Sequence, residues 1–97
     1  MYAAVRRYTF EPKNSERIDT QIHEGFLPLM KKIPGFVAYY WVDSGSGTGA
    51  SISVFDAKSG AEESVKVAAE FVKKNLAQVL GKPEITQGEV KAFTTRK

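Results

Sequence analysis

Apolar and polar positions alternate with two different periods along the chain, and the switches between them mark out its elements. Residues 2–10 (YAAVRRYTF) are rich in aromatic and branched side chains and stop at Glu11-Pro12, which predicts a strand. Beyond them Ile18, Ile22, Phe26, Leu29 and Ile33 recur at spacings of four and three, the stripe of an amphipathic helix. Asn14 or Ser15 is placed to cap that helix, Glu16 lies in its first turn where the dipole favours an acid, and Pro34-Gly35 ends it. Pro28 falls inside the pattern and predicts a bend near Glu24 or Gly25.

Residues 36–43 (FVAYYWVD) are apolar up to the final acid and read as a second strand. The run Ser44-Gly45-Ser46-Gly47-Thr48-Gly49 turns the chain, and residues 50–55 (ASISVF) return as a third strand of an antiparallel hairpin. That turn opens onto a strand rather than a helix N-terminus, so it is no phosphate cradle. Ser59-Gly60-Ala61-Glu62 has the form of a capping box for a second helix running to about Leu80. Its predicted buried stripe is Val65, Ala69, Val72, Leu76 and Val79 or Leu80, with Val67 and Phe71 off the stripe as surface residues or a partner contact. Gly81-Lys82-Pro83 stops the helix, residues 85–93 form a fourth strand, and residues 94–97 fray. The order strand–helix–strand–strand–helix–strand predicts one ferredoxin-like βαββαβ domain over residues 1–97, of the α+β class. Its four-stranded antiparallel sheet would carry two helices on one face.

A sheet covered by helices on one face only should alternate apolar and polar residues along each strand. Here Phe36, Ala38, Tyr40 and Val42 share one parity, and Val37, Tyr39 and Trp41 share the other. The first strand sets Val5 against Tyr2, Tyr8 and Phe10. Strands apolar on both sides need cover on both sides. The chain is too short for a third layer, so a second copy is the expected cover: a homodimer.

Composition narrows the function classes. The net charge of +3 arises from basic residues scattered over the elements among acids, which argues against a nucleic-acid surface. The third strand also lacks the spaced stacking aromatics of an RNA-recognition motif. With no cysteine there is no disulfide, thiolate nucleophile or cysteine metal site. No apolar run approaches the roughly 18 residues of a membrane span, and the N-terminus lacks the pattern of a signal peptide. No membrane partner is expected, and the expected location is the cytoplasm.

The run Ile33-Pro34-Gly35-Phe36-Val37-Ala38-Tyr39-Tyr40 resembles the turn from first helix to second strand in antibiotic-biosynthesis-monooxygenase-like domains. The strand Ser51-Ile52-Ser53-Val54-Phe55-Asp56 and the acidic helix start Gly60-Ala61-Glu62-Glu63-Ser64 are similar too, so the resemblance spans residues 2–93. It implies a dimeric α/β barrel whose sheets face each other, with a small apolar pocket between each sheet and its own helices. It also implies that Val37, Tyr39 and Trp41 face the helices and Tyr40 the dimer contact. Members include cofactor-independent oxygenases of aromatic polyketides and quinols, and haem-degrading enzymes. The haem-degrading branch uses an Asn on the first strand and a His on the second helix, and this chain has neither.

His23, the only histidine, is the candidate catalytic acid or base. It lies on the flank of the first helix with Met30 and with Asp19, one turn before it and placed to orient the imidazole. Tyr39, Trp41, Arg7, Phe26 and Met30 are the candidate ligand contacts: two strand aromatics, an arginine to anchor an anionic or enolate oxygen, and two helix residues. Adjacent Arg6 and Arg7 must point to opposite faces of the sheet, one of them semi-buried and paired with a carboxylate such as Glu89 on the neighbouring strand. One histidine among scattered acids makes no metal site, and neither a metal nor a cofactor is expected. The expected activity is cofactor-independent oxygenation of a small aromatic or quinone-like molecule, with non-catalytic ligand binding or a stress-response role as the alternative.

Overall fold

In the computed structural model, which describes residues 1–96, the sheet is built from β1 (Tyr2–Thr9), β2 (Phe36–Asp43), β3 (Thr48–Phe55) and β4 (Glu84–Glu89). Its order is β2-β3-β1-β4 with every neighbouring pair antiparallel. The helices are α1 (Ser15–Gln21), α2 (Leu27–Lys32) and α3 (Lys58–Asn75). This is the expected ferredoxin-like arrangement. The fourth strand stops at Glu89, short of the predicted residue 93, and Lys97 of the predicted frayed tail lies outside the described residues.

Pro28 does more than bend the first helix. A π turn (Ile22–Phe26) joins α1 to α2, its Leu27 N–H reaching back to the Ile22 carbonyl. The wider turn fits the missing proline N–H into the helix and rotates every later residue. The buried stripe therefore runs Ile18, Ile22, Phe26, Met30, Ile33, and Leu29, predicted to be buried, is exposed instead.

A bulge in β2 makes the second correction. Phe36 pairs with Phe55 and Ala38 with Val54, so Val37 is an extra residue between successive rungs. Phe36, Tyr39 and Trp41 consequently pack on the helical side, whereas Val37, expected to face the helices, is exposed.

The register then sorts the sheet into two unlike faces. On the helical side lie the rows Trp41–Ser51–Arg6–Ile85 and Tyr39–Ser53–Ala4–Gln87. On the other side lie Tyr40–Ile52–Val5–Thr86 and Ala38–Val54–Ala3–Gly88. The polar serines of β3 are buried and its Ile52 and Val54 face outward, where Tyr40 is 57% and Val42 53% exposed. This apolar outer face is the one for which the sequence demands cover.

α3 lies close to the sheet because the side it turns inward is small: Gly60, Ala61, Ser64 and Ala68. A Cβ at Gly60 would stand 2.7 Å from the Phe55 ring. Ser64 meets its hydrogen-bond need by donating to the Ala61 carbonyl at 2.7 Å. Further along, Phe71 is buried against Phe26 with ring centroids 5.3 Å apart. Phe71 is thus core, not surface, and the helix is turned by about one position from the Val65–Ala69–Val72 stripe. The capping box does not form either: the helix begins at Lys58 behind an extended Ala57, with no side-chain cap.

Candidate active site

The chemistry on the helical side of the sheet centres on Arg6. Alternation along β1 puts it in line with Ala4 and Tyr8, and it is 1% exposed. Its Nη2 donates to Ser51 Oγ at 2.7 Å and to Ser53 Oγ at 3.0 Å. The guanidinium carbon lies 5.9 Å from the centre of the Phe26 ring. Nε and Nη1 have no hydrogen-bond partner among the described residues, and none of the ion pairs there includes Arg6. A buried cation without a counter-charge is costly, and burial accordingly pulls the Arg6 pKa below its ordinary value.

Aromatic groups complete the surroundings. Ser51 Oγ donates to the Tyr39 hydroxyl at 3.0 Å, which leaves the phenolic hydrogen free to donate in turn. Tyr39 packs edge-on against Phe26 with centroids 5.3 Å apart. Trp41 stands between Tyr8 and Phe10, and its Nε1 donates to Asp19 Oδ1 at 3.2 Å, pinning the indole to α1. Gly49 lets the indole lie flat on β3, where any Cβ would come within 2.6 Å of the ring. Burial raises the pKa values of Tyr8 and Tyr39, partly opposed by the positive charge of Arg6, and for Tyr39 first by the Ser51 hydrogen bond. Between these groups and Phe71, Ala68 and Leu76 lies a cavity of about 20 Å³, room for roughly one water.

The predicted site residues divide. Phe26, Tyr39 and Trp41 come together around the cavity. Met30 is fully buried just behind it, its Sδ 3.7 Å from the hydroxyl of Ser53. Arg7 points the other way, to the outer face, where it is exposed and pairs with Glu84 at 3.1 Å; the buried arginine, expected to pair with a carboxylate such as Glu89, is Arg6, which has no ion pair among the described residues. His23 lies exposed on the π turn, its Nδ1 2.9 Å from the Asp19 backbone carbonyl, and does not reach the cavity. Asp19 does orient an aromatic ring with its carboxylate, but the ring is that of Trp41.

A protein of unknown function from Nitrosomonas europaea superposes with a TM-score of 0.78 at 21% identity, covering 99% of this chain and 94% of its own. The likeness to this and the following structures is one of fold, a ferredoxin-like arrangement of four antiparallel strands and two helices. The ActVA-Orf6 monooxygenase of Streptomyces coelicolor, solved with nanaomycin D, matches this fold at a TM-score of 0.72 and 13% identity, over 98% of this chain and 92% of its own. The haem degrader MhuD of Mycobacterium tuberculosis, solved with two haems in its active site, matches at 0.75 and 8%, over 98% and 100%. No family model matches the chain, and no curated protein matches it in sequence.

The residues present do not fit a haem: α3 carries no histidine, His23 does not line the cavity, and the cavity has room for about one water. The groups the sequence did not single out are Arg6 as the buried member of its pair and the two serines, and Phe71 was expected at the surface or a partner contact rather than at the cavity. The signal for the serines was the alternation Ser51-Ile52-Ser53-Val54, polar on one parity only. For Arg6 it was the shared parity with Tyr8 and Phe10, masked by the apolar residues on the opposite parity.

Proposed function

We propose that the space between sheet and helices binds a planar aromatic or quinone-like molecule through an oxygen atom held at Arg6, and that the bound molecule is oxygenated without a cofactor. The observation carrying this reading is the buried guanidinium with two nitrogens unpaired beside aromatic walls. A desolvated N–H donor favours developing negative charge on oxygen, and so promotes ionisation of a bound enol or phenol. The ionised ring is itself the electron source for O2: a ring methylene becomes a carbonyl, and the second oxygen atom leaves as water. Tyr39, Trp41 and Phe26 would hold the ring, with Met30 yielding behind it as a flexible side chain. A cavity for one water must widen by rotation of these side chains before such a molecule fits.

The exposed position of His23 favours a second reading, in which the same pocket holds a ligand without catalysis. The reading as an oxygenase requires a substrate acidic enough to lose its proton to solvent, or a base brought in from the helix surface. Oxygen uptake across a panel of anthrones, quinols and polyphenols tests it. Activity should fall by about 10²-fold or more in Arg6→Met, the loss typical of a removed oxyanion donor. His23→Ala separates a base acting from outside from a bystander. Binding without oxygen uptake for every compound would leave the non-catalytic reading standing.

We further propose that two copies pair through the apolar outer face of the sheet, in the cytoplasm. The rows Tyr40–Ile52–Val5 and Ala38–Val54–Ala3 support this pairing. No helix among the described residues is long and apolar enough to cross a membrane.

A further inference from the structure

Arg6 borders a second space. Between α3 and the edge strand β4 runs a groove of about 400 Å³, walled by Val65, Ala69, Val72, Leu80, Pro83 and Ile85. Arg6 and Tyr8 line both this groove and the internal cavity, and Val72 and Leu80 are walls common to the two. Two exposed cations, Lys73 and Lys82, also line the groove, and no acidic side chain does. Its depth therefore ends at a buried, incompletely paired cation, its sides are apolar, and its only exposed charges are positive.

We propose that this groove is the entrance to the pocket and selects an amphiphilic monoanion, its apolar body lying between α3 and β4 and its single carboxylate, enolate or similar head paired with Arg6. The inference rests on the pocket reading above and adds to it the charge of the ligand and its route. Field lines from Lys73, Lys82 and Arg6 add along the groove, so an anion is drawn inward and a cation is repelled. At its end the head group finds an unpaired N–H of Arg6, at Nε or at Nη1, where a charge-assisted hydrogen bond is strong because water is excluded. A neutral molecule of the same shape gains the apolar contact alone. Val72 and Leu80 are the side chains that must swing for the head to pass from groove to cavity.

Two fluorescent probes of nearly the same shape separate these contributions. 1-Anilinonaphthalene-8-sulfonate carries one negative charge, and N-phenyl-1-naphthylamine carries none. In titrations of the full chain the anion should bind the more tightly. Arg6→Met should weaken the anion by about 10-fold or more, the loss of a charged hydrogen bond, and the neutral probe by less than about 2-fold. Lys73→Glu with Lys82→Glu, both at exposed positions that keep the fold, should weaken the anion alone, and less so at high salt. Ala69→Trp, filling the groove from the helix surface, should weaken both probes. If both probes bind but Arg6→Met and the lysine changes treat them alike, the anion selection is wrong while the pocket stands. Indifference of both to Ala69→Trp overturns the entrance. If neither probe binds the wild type, the pocket reading falls and this inference with it.

Discussion

Replacing Arg6 by methionine should make the protein more stable. The side chain is 1% exposed, and its charge has no counter-ion among the described residues. Two bonds from Nη2, at 2.7 and 3.0 Å, return about 1.5–3 kcal/mol each as hydrogen bonds to a charged group. Against them stand an effective desolvation cost of several kcal/mol for the buried ion and roughly 1–3 kcal/mol for each N–H left unmet. Methionine keeps most of the side-chain volume in apolar form but ends where Nε does, giving up the guanidinium contact with Phe26. The serines it leaves behind keep other partners, Ser51 the Tyr39 hydroxyl at 3.0 Å and Ser53 the sulfur of Met30 at 3.7 Å. The balance favours the variant by about 1–4 kcal/mol, the range found when buried ionic groups give way to apolar ones. For a chain of this length each kcal/mol moves Tm by about 4–8 °C. Urea unfolding followed by circular dichroism at neutral pH, at equal protein concentrations so that any dimer equilibrium is matched, measures the difference. A loss of about 1 kcal/mol or more would refute the reasoning, because it would make the guanidinium a net brace of the core. A gain in stability together with a loss of anion binding would mark Arg6 as a group retained for function at the expense of the fold.

Three other outcomes are expected. Burial raises the phenol pKa values of Tyr8 and Tyr39 above 10.0, so the unfolded chain ionises first: their contribution is intact below pH 10 and is lost as pH climbs through the folded values. Arg6, lowered from its ordinary value, acts in the opposite sense, its penalty being released only as pH rises above its folded value. Tyr8→Phe with Tyr39→Phe should therefore flatten the alkaline loss of stability seen in urea midpoints measured on either side of pH 10. Gly25→Ala sets a Cβ 2.8 Å from Phe71 Cε1, so overpacking of about 1–3 kcal/mol should outweigh the roughly 1 kcal/mol gained in helix propensity. Adding Phe71→Leu should recover part of that loss, which a double-mutant cycle of thermal melts reads directly. Ile52→Lys, in the middle of the outer face, should turn a dimer into a monomer in sedimentation. A wild type that is already monomeric at micromolar concentration would sink the pairing.

Most of the topology was legible in the residues, because strand parity and helix period are repeated signals and a single odd position does not erase them. β2 ends where its last acid predicts, and the hairpin of β2 and β3 is where the glycine-rich turn puts it. What was not legible came from one-residue events. The π turn moves burial from Leu29 to Met30, and the bulge moves Phe36 to the helical face, yet neither leaves a mark in composition. On α3 the apolar period predicts a stripe of Val65, Ala69 and Val72 with Phe71 off it. The sheet instead takes the small residues of the first turns, since Gly60 and Ala61 permit a closeness that valine would prevent, and Phe71 beyond them. The candidate site was half legible. Its aromatic walls stand out in the second strand, whereas the choice between Arg6 and Arg7 depends on which face the neighbouring strands cover, a property of the assembled sheet.

The extra residue in β2 bears on descent as well as on shape. With Val37 removed, Phe36, Ala38 and Tyr39 would fall into unbroken alternation against Phe55, Val54 and Ser53, so a one-codon deletion there should be tolerated where one anywhere else in the strand would turn its aromatic residues inside out. Lineages sharing this architecture are then free to gain or lose a residue at that spot while keeping every wall of the cavity. Column-by-column comparison slips at each such event, and superposition of backbones does not, which is one route by which a common fold outlives recognisable kinship between sequences.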